Sequence, residues 1–147
     1  MKLTFEVQGE ELLVRHFDRA IAGVKDFKLF MPKMADLFDE IQQNWFNSQG
    51  NGTWVALSPA YAAWKAINYP SQPLLVLTGA LAEAPFTAKV VGDKLTVQSD
   101  APDYWKFHYH GTSRMPARPP YIVDQTVRRA LGREMRKLII AYLRGIK

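Results

Sequence analysis

The chain contains no cysteine in 147 residues, which excludes disulfides and thiolate metal sites. Long apolar runs are also missing. Runs such as Leu74–Leu77 and Leu138–Tyr142 fall far short of the roughly 20 residues a membrane helix needs. The opening Met1-Lys2-Leu3-Thr4-Phe5-Glu6 lacks the unbroken apolar stretch of a signal peptide. These absences lead us to expect a soluble protein, made and used inside the cell, with no membrane partner. Acidic residues are the scarcer sign, 14 against 19 basic ones, giving a net charge of +5. A basic domain of this kind can sit against nucleic acid, acidic proteins or anionic lipid.

Several chemistries lack their residues. No Gly-x-x-x-x-Gly-Lys-Ser loop is present to cradle a phosphate. Ser58 and Ser113 lack the Gly-x-Ser-x-Gly elbow of a nucleophile. Asp36, Asp39 and Glu40 crowd one predicted helix, with Asp36 and Glu40 flanking its solvated side, whereas paired catalytic carboxylates need opposed environments in a cleft. Only three histidines occur, His16, His108 and His110, and the last two diverge on a helical turn. Zinc needs three or four ligands. The expectation from these residues is therefore no catalytic residue and no metal. His108 reads as a core-edge residue with a hydrogen-bonded ring, and His110 as exposed.

Periodicity gives the elements. Leu3, Phe5 and Val7 alternate with polar residues as a half-buried strand does, and Gly9 closes it. Leu13, Phe17, Ala20, Ile21 and Val24 predict an amphipathic helix from about Glu10 to Asp26. Pro32 suits the first turn of a second helix, with Met34, Leu37, Phe38, Ile41 and Trp45 on its buried face and an end near Asn47. The glycines and small polar residues of 47–53 make a loop. Ser58-Pro59 caps a short helix carrying Tyr61, Trp64 and Lys65, which Pro70 and Pro73 end. Phe86, Ala88 and Val90, then Leu95 and Val97, alternate around Gly92-Asp93 as a β-hairpin. Pro102 starts another short helix that Gly111 stops, and the three prolines of 113–120 keep that stretch extended or turn-rich. Asp124 caps the last helix, whose apolar face (Val127, Leu131, Met135, Leu138, Ile139, Tyr142) spans about 120°. The fold class is α+β in a single domain over residues 1–147, with a small antiparallel sheet, made from the first strand and the hairpin, packed against several helices. The last helix is expected to lie on that sheet.

Three segments carry a resemblance. They are Trp54-Val55-Ala56-Leu57-Ser58-Pro59-Ala60-Tyr61 followed by Lys65; Leu74-Leu75-Val76-Leu77-Thr78-Gly79-Ala80-Leu81; and Tyr104-Trp105-Lys106-Phe107-His108-Tyr109-His110-Gly111 followed by Met115-Pro116-Ala117-Arg118-Pro119. In this order and spacing the chain resembles the phage virion morphogenesis family, which includes the tail completion proteins of Mu-type phages and prophages. The layout runs from about residue 2 to 143, and the specific motifs cover about a quarter of it. Trp105 stands where an alanine is usual, and His110 where an apolar residue is usual. The resemblance implies a non-enzymatic structural protein of a bacteriophage or prophage, with no cofactor, that completes or terminates the tail at head-tail joining. It implies an oligomer, with a hexameric ring as the natural form, and other tail or neck proteins as partners. It also implies residence in the host cytoplasm during assembly and in the virion tail or neck afterwards. Two alternatives remain: a small basic DNA-binding module, and a head-closure adaptor of the same fold.

Candidate interface residues follow. Arg129, Arg133, Arg136, Lys137 and Arg144 fall on one arc of the last helix, opposite its apolar face. That arc is a solvated face, a surface for an acidic neighbouring subunit, or a weak contact for DNA, and charge spacing does not choose among these. Of the four tryptophans, Trp45, Trp54, Trp64 and Trp105, core packing is the ordinary role. Trp54 follows the glycine loop and Trp105 sits off the Tyr104 face, so these two are the interface candidates. Trp54 is also expected near Tyr61. Arg118, between Ala117 and Pro119, can pair with a carboxylate and fix its loop. Elemental analysis of the purified protein is expected to find no stoichiometric transition metal. One metal per chain, lost in a His108→Ala variant, would contradict the ligand argument.

Overall fold

Proline and glycine punctuate the chain, and the helices fill the spaces between. The computed structural model describes residues 10–25, 27–84, 86–92 and 94–145. The expected strand Leu3–Val7 lies outside the described residues, as does Asp93 of the hairpin turn. The elements are α1 (Glu10–Lys25), a 3-10 turn (Phe27–Leu29), α2 (Met31–Asn47), α3 (Pro59–Asn68), α4 (Ala80–Glu83), β1 (Thr87–Val91), β2 (Lys94–Gln98), α5 (Trp105–His110) and α6 (Gln125–Gly145). Among the described residues the fold is a small α+β unit with a two-stranded antiparallel sheet.

β1 and β2 pair in register from Thr87↔Gln98 to Val91↔Lys94, which leaves Gly92 in the turn at φ 63°. The hairpin rests on α2, where the Asp39 carboxylate accepts a hydrogen bond from the Ala88 N–H at 2.7 Å. α2 also carries α6. The core gathers on this helix: Phe30, Met34, Ala35 and Phe38 are buried, with Trp54, Leu81, Phe86 and Val127 brought in from elsewhere. Leu37, Ile41 and Trp45, expected on the same face, are half-buried.

α6 starts as Asp124 dictates. Its carboxylate accepts hydrogen bonds from the N–H groups of Thr126, at 2.8 Å, and Val127, at 3.0 Å. This satisfies two of the donors every helix start leaves free. Its apolar row is turned inward as expected, with Val127 buried and Leu131, Met135, Leu138, Ile139 and Tyr142 half-buried. Among the described residues the helix does not lie on the hairpin part of the expected sheet. α6 packs on α2 and α1, and the Tyr142 ring meets Phe30 edge-on at 5.9 Å. Two strands of five residues offer too small a face to carry a helix of 21 residues, and α2 already occupies that face. α1 touches α6 and the 3-10 turn. Phe17 and Ile21 on it are exposed, while Ala20 is half-buried. The side chains of Leu13 and Val24 lie outside the described residues.

One polar residue sits in the apolar face of α2. Gln42 is 3% exposed, and its amide clamps Ile122 from both sides. Its Nε2 donates to the Ile122 carbonyl at 2.7 Å, and its Oε1 accepts from the Ile122 N–H at 2.8 Å. One turn on, Trp45 Nε1 donates to the Pro119 carbonyl at 2.8 Å. Gln42→Met keeps the volume and orphans both Ile122 groups. Its urea midpoint is expected to correspond to a loss of about 1–3 kcal/mol, the lower part of this range because Ile122 is half-buried. An unchanged midpoint would show that water replaces the clamp at no cost.

Candidate functional site

The segments on which the family resemblance rests are far apart in sequence and meet at one cleft. It is formed by the 56–58 stretch, α3, the 74–81 stretch, α5 and the turn that follows α5, and it encloses about 710 Å³. Its walls are largely aliphatic, including Leu74, Leu77, Leu81, Met115 and Pro116. Tyr61 and Tyr104 stand in it, 42% exposed each.

Two buried cations define its floor. Lys65, on α3, is 4% exposed, and its ammonium donates to the carbonyls of Pro73 and Leu74. This bond pair holds the 73–74 stretch against the helix just past the residues that Pro70 and Pro73 remove from it. Arg118 is 5% exposed. Its Nε donates to the Val55 carbonyl at 2.6 Å and its Nη2 to the Ala56 carbonyl at 2.9 Å. Its backbone N–H donates to the His108 carbonyl at 2.6 Å. Arg118 therefore fixes its loop as expected but through backbone carbonyls, with no carboxylate pairing among the described residues. The rigid guanidinium fork fits two consecutive carbonyls as well as it fits a carboxylate. Burial lowers the pKa of both Lys65 and Arg118 from their ordinary values.

Gly111 permits the turn. Its φ is 73°, and a β-carbon there would lie 2.8 Å from the Ala117 nitrogen. The backbone of 115–117 folds directly against it, with Thr112 N–H donating to the Met115 carbonyl at 2.7 Å. His108 lines the cleft one turn before, half-buried. Its Nδ1 is buried without a hydrogen bond, which departs from the bonded ring expected. His110 is exposed as expected.

The tryptophans sort differently from the expectation. Trp54 is 7% exposed and belongs to the core. Its ring lies against Gly50, where a β-carbon would come within 2.5 Å, and meets Phe46 edge-on at 5.7 Å. The left-handed conformation of Gly50 curls the loop back over the ring, so Trp54 has no face left for a partner. Tyr61 is stacked on Trp64 at 5.4 Å and is not Trp54's ring neighbour. Trp105 is half-buried in an aromatic group with Phe86, Tyr109 and Tyr121, 5.2 Å from Phe86. Within that group burial, then the neighbouring Tyr109, raises the pKa of Tyr121. The exposed tryptophan is Trp64, at 44%, beside Ile67 at 80%.

The basic residues of α6 stand apart from the cleft. Arg129, Arg133, Arg136, Lys137 and Arg144 are all exposed. Lys137 pairs with Glu134 at 3.2 Å, a contact of little weight at this exposure. No group of three or more metal-ligating side chains occurs among the described residues. No helix among them is long and apolar enough to cross a membrane.

Sequence reasoning placed Arg118 and the motif segments but overlooked Gln42 and the burial of Lys65. The signal for Gln42 was a polar residue inside the apolar row Met34, Phe38, Ile41 and Trp45, since a buried amide must find partners. Comparison with models of protein families, with curated proteins and with solved structures finds no match for this chain.

Burial, and secondarily the Arg118 charge, lowers the pKa of His108. The unfolded chain then takes up a proton near pH 6.5 that the folded chain resists. Stability from this source is present above that pH and lost as pH falls below it. The melting temperature is expected to decline as pH falls below about 6.5, and His108→Gln to flatten that decline. Parallel profiles for the two proteins would contradict the assignment.

Proposed function

We propose that this protein is a structural assembly component of a tailed bacteriophage or prophage, acting at the tail terminus or neck as an oligomer. The observation that carries the reading is the convergence of the motif-bearing segments, from residues 54 to 119, on a single cleft braced by Lys65 and Arg118. Segments that resemble a family's motifs and also build one site have a common reason to occur together. The surface is in keeping with assembly. Trp64, Ile67, Tyr104 and Phe107 are exposed at 42–80%, and are available to be buried on a neighbour. A protein that buries such residues on a neighbour needs no catalytic group, and we assign none.

The basic face of α6 is the second element of the proposal. Exposed charges steer encounter and exclude wrong partners more than they add affinity. We read Arg129, Arg133, Arg136 and Arg144 as facing an acidic neighbouring subunit. The same face favours DNA contact as a second reading, since cations on one helix can track phosphates.

Mass spectrometry of purified particles and isolated tails is expected to find the protein. The double variant Arg133→Glu, Arg136→Glu should fold almost normally, because exposed changes usually cost within about 0.5 kcal/mol. It should nevertheless block completed tails or their joining to heads. Salt-sensitive binding of the wild-type protein to duplex DNA, together with normal particles from the variant, would replace the assembly reading with the DNA one.

A further inference from the structure

Lys65 and Arg118 pose a problem that the proposed role leaves open. Both are more than nine-tenths buried, and buried cations ordinarily have a counter-charge. Here each is met by backbone carbonyls, which supply dipoles but no net charge. No described acidic residue lines the cleft, and Arg114 at its edge adds a third cation. The Glu83 carboxylate, outside that lining, is turned back over Gly79, filling the space a side chain there would need. Arg118 Nη1 makes no hydrogen bond among the described residues, and His108 Nδ1 is buried without one. Among the described residues, the cleft therefore holds positive charge that no acidic side chain of its lining meets, inside largely aliphatic walls.

We propose that the cleft receives an extended peptide segment of a partner protein that carries a carboxylate among aliphatic side chains. The carboxylate neutralises the floor through charge-assisted hydrogen bonds, which are stronger where water is excluded. The aliphatic side chains fill the space along Leu74, Leu77, Leu81 and Met115. The volume of about 710 Å³ lies within the roughly 300–1,000 Å³ of ordinary ligand clefts. Nucleic acid fits less well. Its backbone follows rows of exposed cations, whereas Lys65 and Arg118 are buried, Arg114 alone is exposed, and aliphatic side chains outnumber the two tyrosines of the lining. The inference concerns what the cleft binds, and it stands whether or not the partner belongs to a virion.

The test is a titration of the full chain followed by heteronuclear NMR. The probes are an acetylated, amidated heptapeptide of leucines and serines with a central glutamate, its twin with glutamine, and a heptamer of deoxythymidine. The glutamate peptide is expected to bind about tenfold tighter than its twin, the scale of one charge-assisted bond, with shifts at Leu77, His108 and Met115. Lys65→Met is expected to abolish the preference for glutamate. Arg114→Gln, at an exposed position outside the bonded floor, is expected to weaken it several-fold and carries the test if Lys65→Met does not fold. Equal binding of the two peptides, shifts confined to other surfaces, or tighter binding of the deoxythymidine oligomer would overturn the proposal.

Discussion

The backbone of 116–122 has nowhere regular to put its hydrogen bonds, and much of the molecule is arranged around that fact. Pro116, Pro119 and Pro120 remove donors and forbid a ladder, yet Pro120 and Arg118 are buried. The groups that remain are met one at a time. His108 accepts from Arg118 N–H, Trp45 donates to the Pro119 carbonyl, and Gln42 takes both groups of Ile122. Arg118 returns the favour by satisfying Val55 and Ala56. Irregular chain is thereby fixed as firmly as a strand, with side chains doing what a neighbouring strand would do. The cleft can be irregular in outline and still rigid for this reason.

α2 is the element that makes this possible, because it serves several neighbours. Its apolar row carries the hairpin and α6, while Gln42 and Trp45 on the same helix reach the proline segment. The division of labour follows helical spacing. Residues three and four apart share a side, so one helix can present a greasy row and still place two polar groups a turn apart at its margin.

Local chemistry was readable in the sequence, and partner choice was not. Asp124 announced the start of α6, Pro59 that of α3, and Gly92 the hairpin, since each acts on its immediate neighbours; Ser58 stands at the N-cap of α3 as expected but makes no side-chain capping bond. The bounds of α2 and of the hairpin followed from periodicity for the same reason. What α6 would pack against did not follow, because an apolar row states that a surface is needed and not which one. Trp54 was misplaced in the same way: the flanking glycine loop read as freedom, whereas Gly50 uses its positive φ to close over the ring. Arg118 was correctly seen as fixing a loop, but its acceptors, residues 55 and 56, lie too far along the chain for spacing to identify.

The ties that hold the proline segment join residues separated by 80, 74 and 63 positions. Loop-closure entropy grows only with the logarithm of length, so such distant ties weaken the folded state little more than short ones would. Their effect falls on time. Helices of 16 to 21 residues form from near neighbours within about a microsecond, whereas contacts of long sequence separation slow a chain's search for its native state. α2, α3 and α6 are locally encoded, but the cleft does not exist until the chain has brought residues 42, 55 and 118 together. It is a property of the finished molecule alone, so nothing that recognises the cleft can recognise a chain still folding.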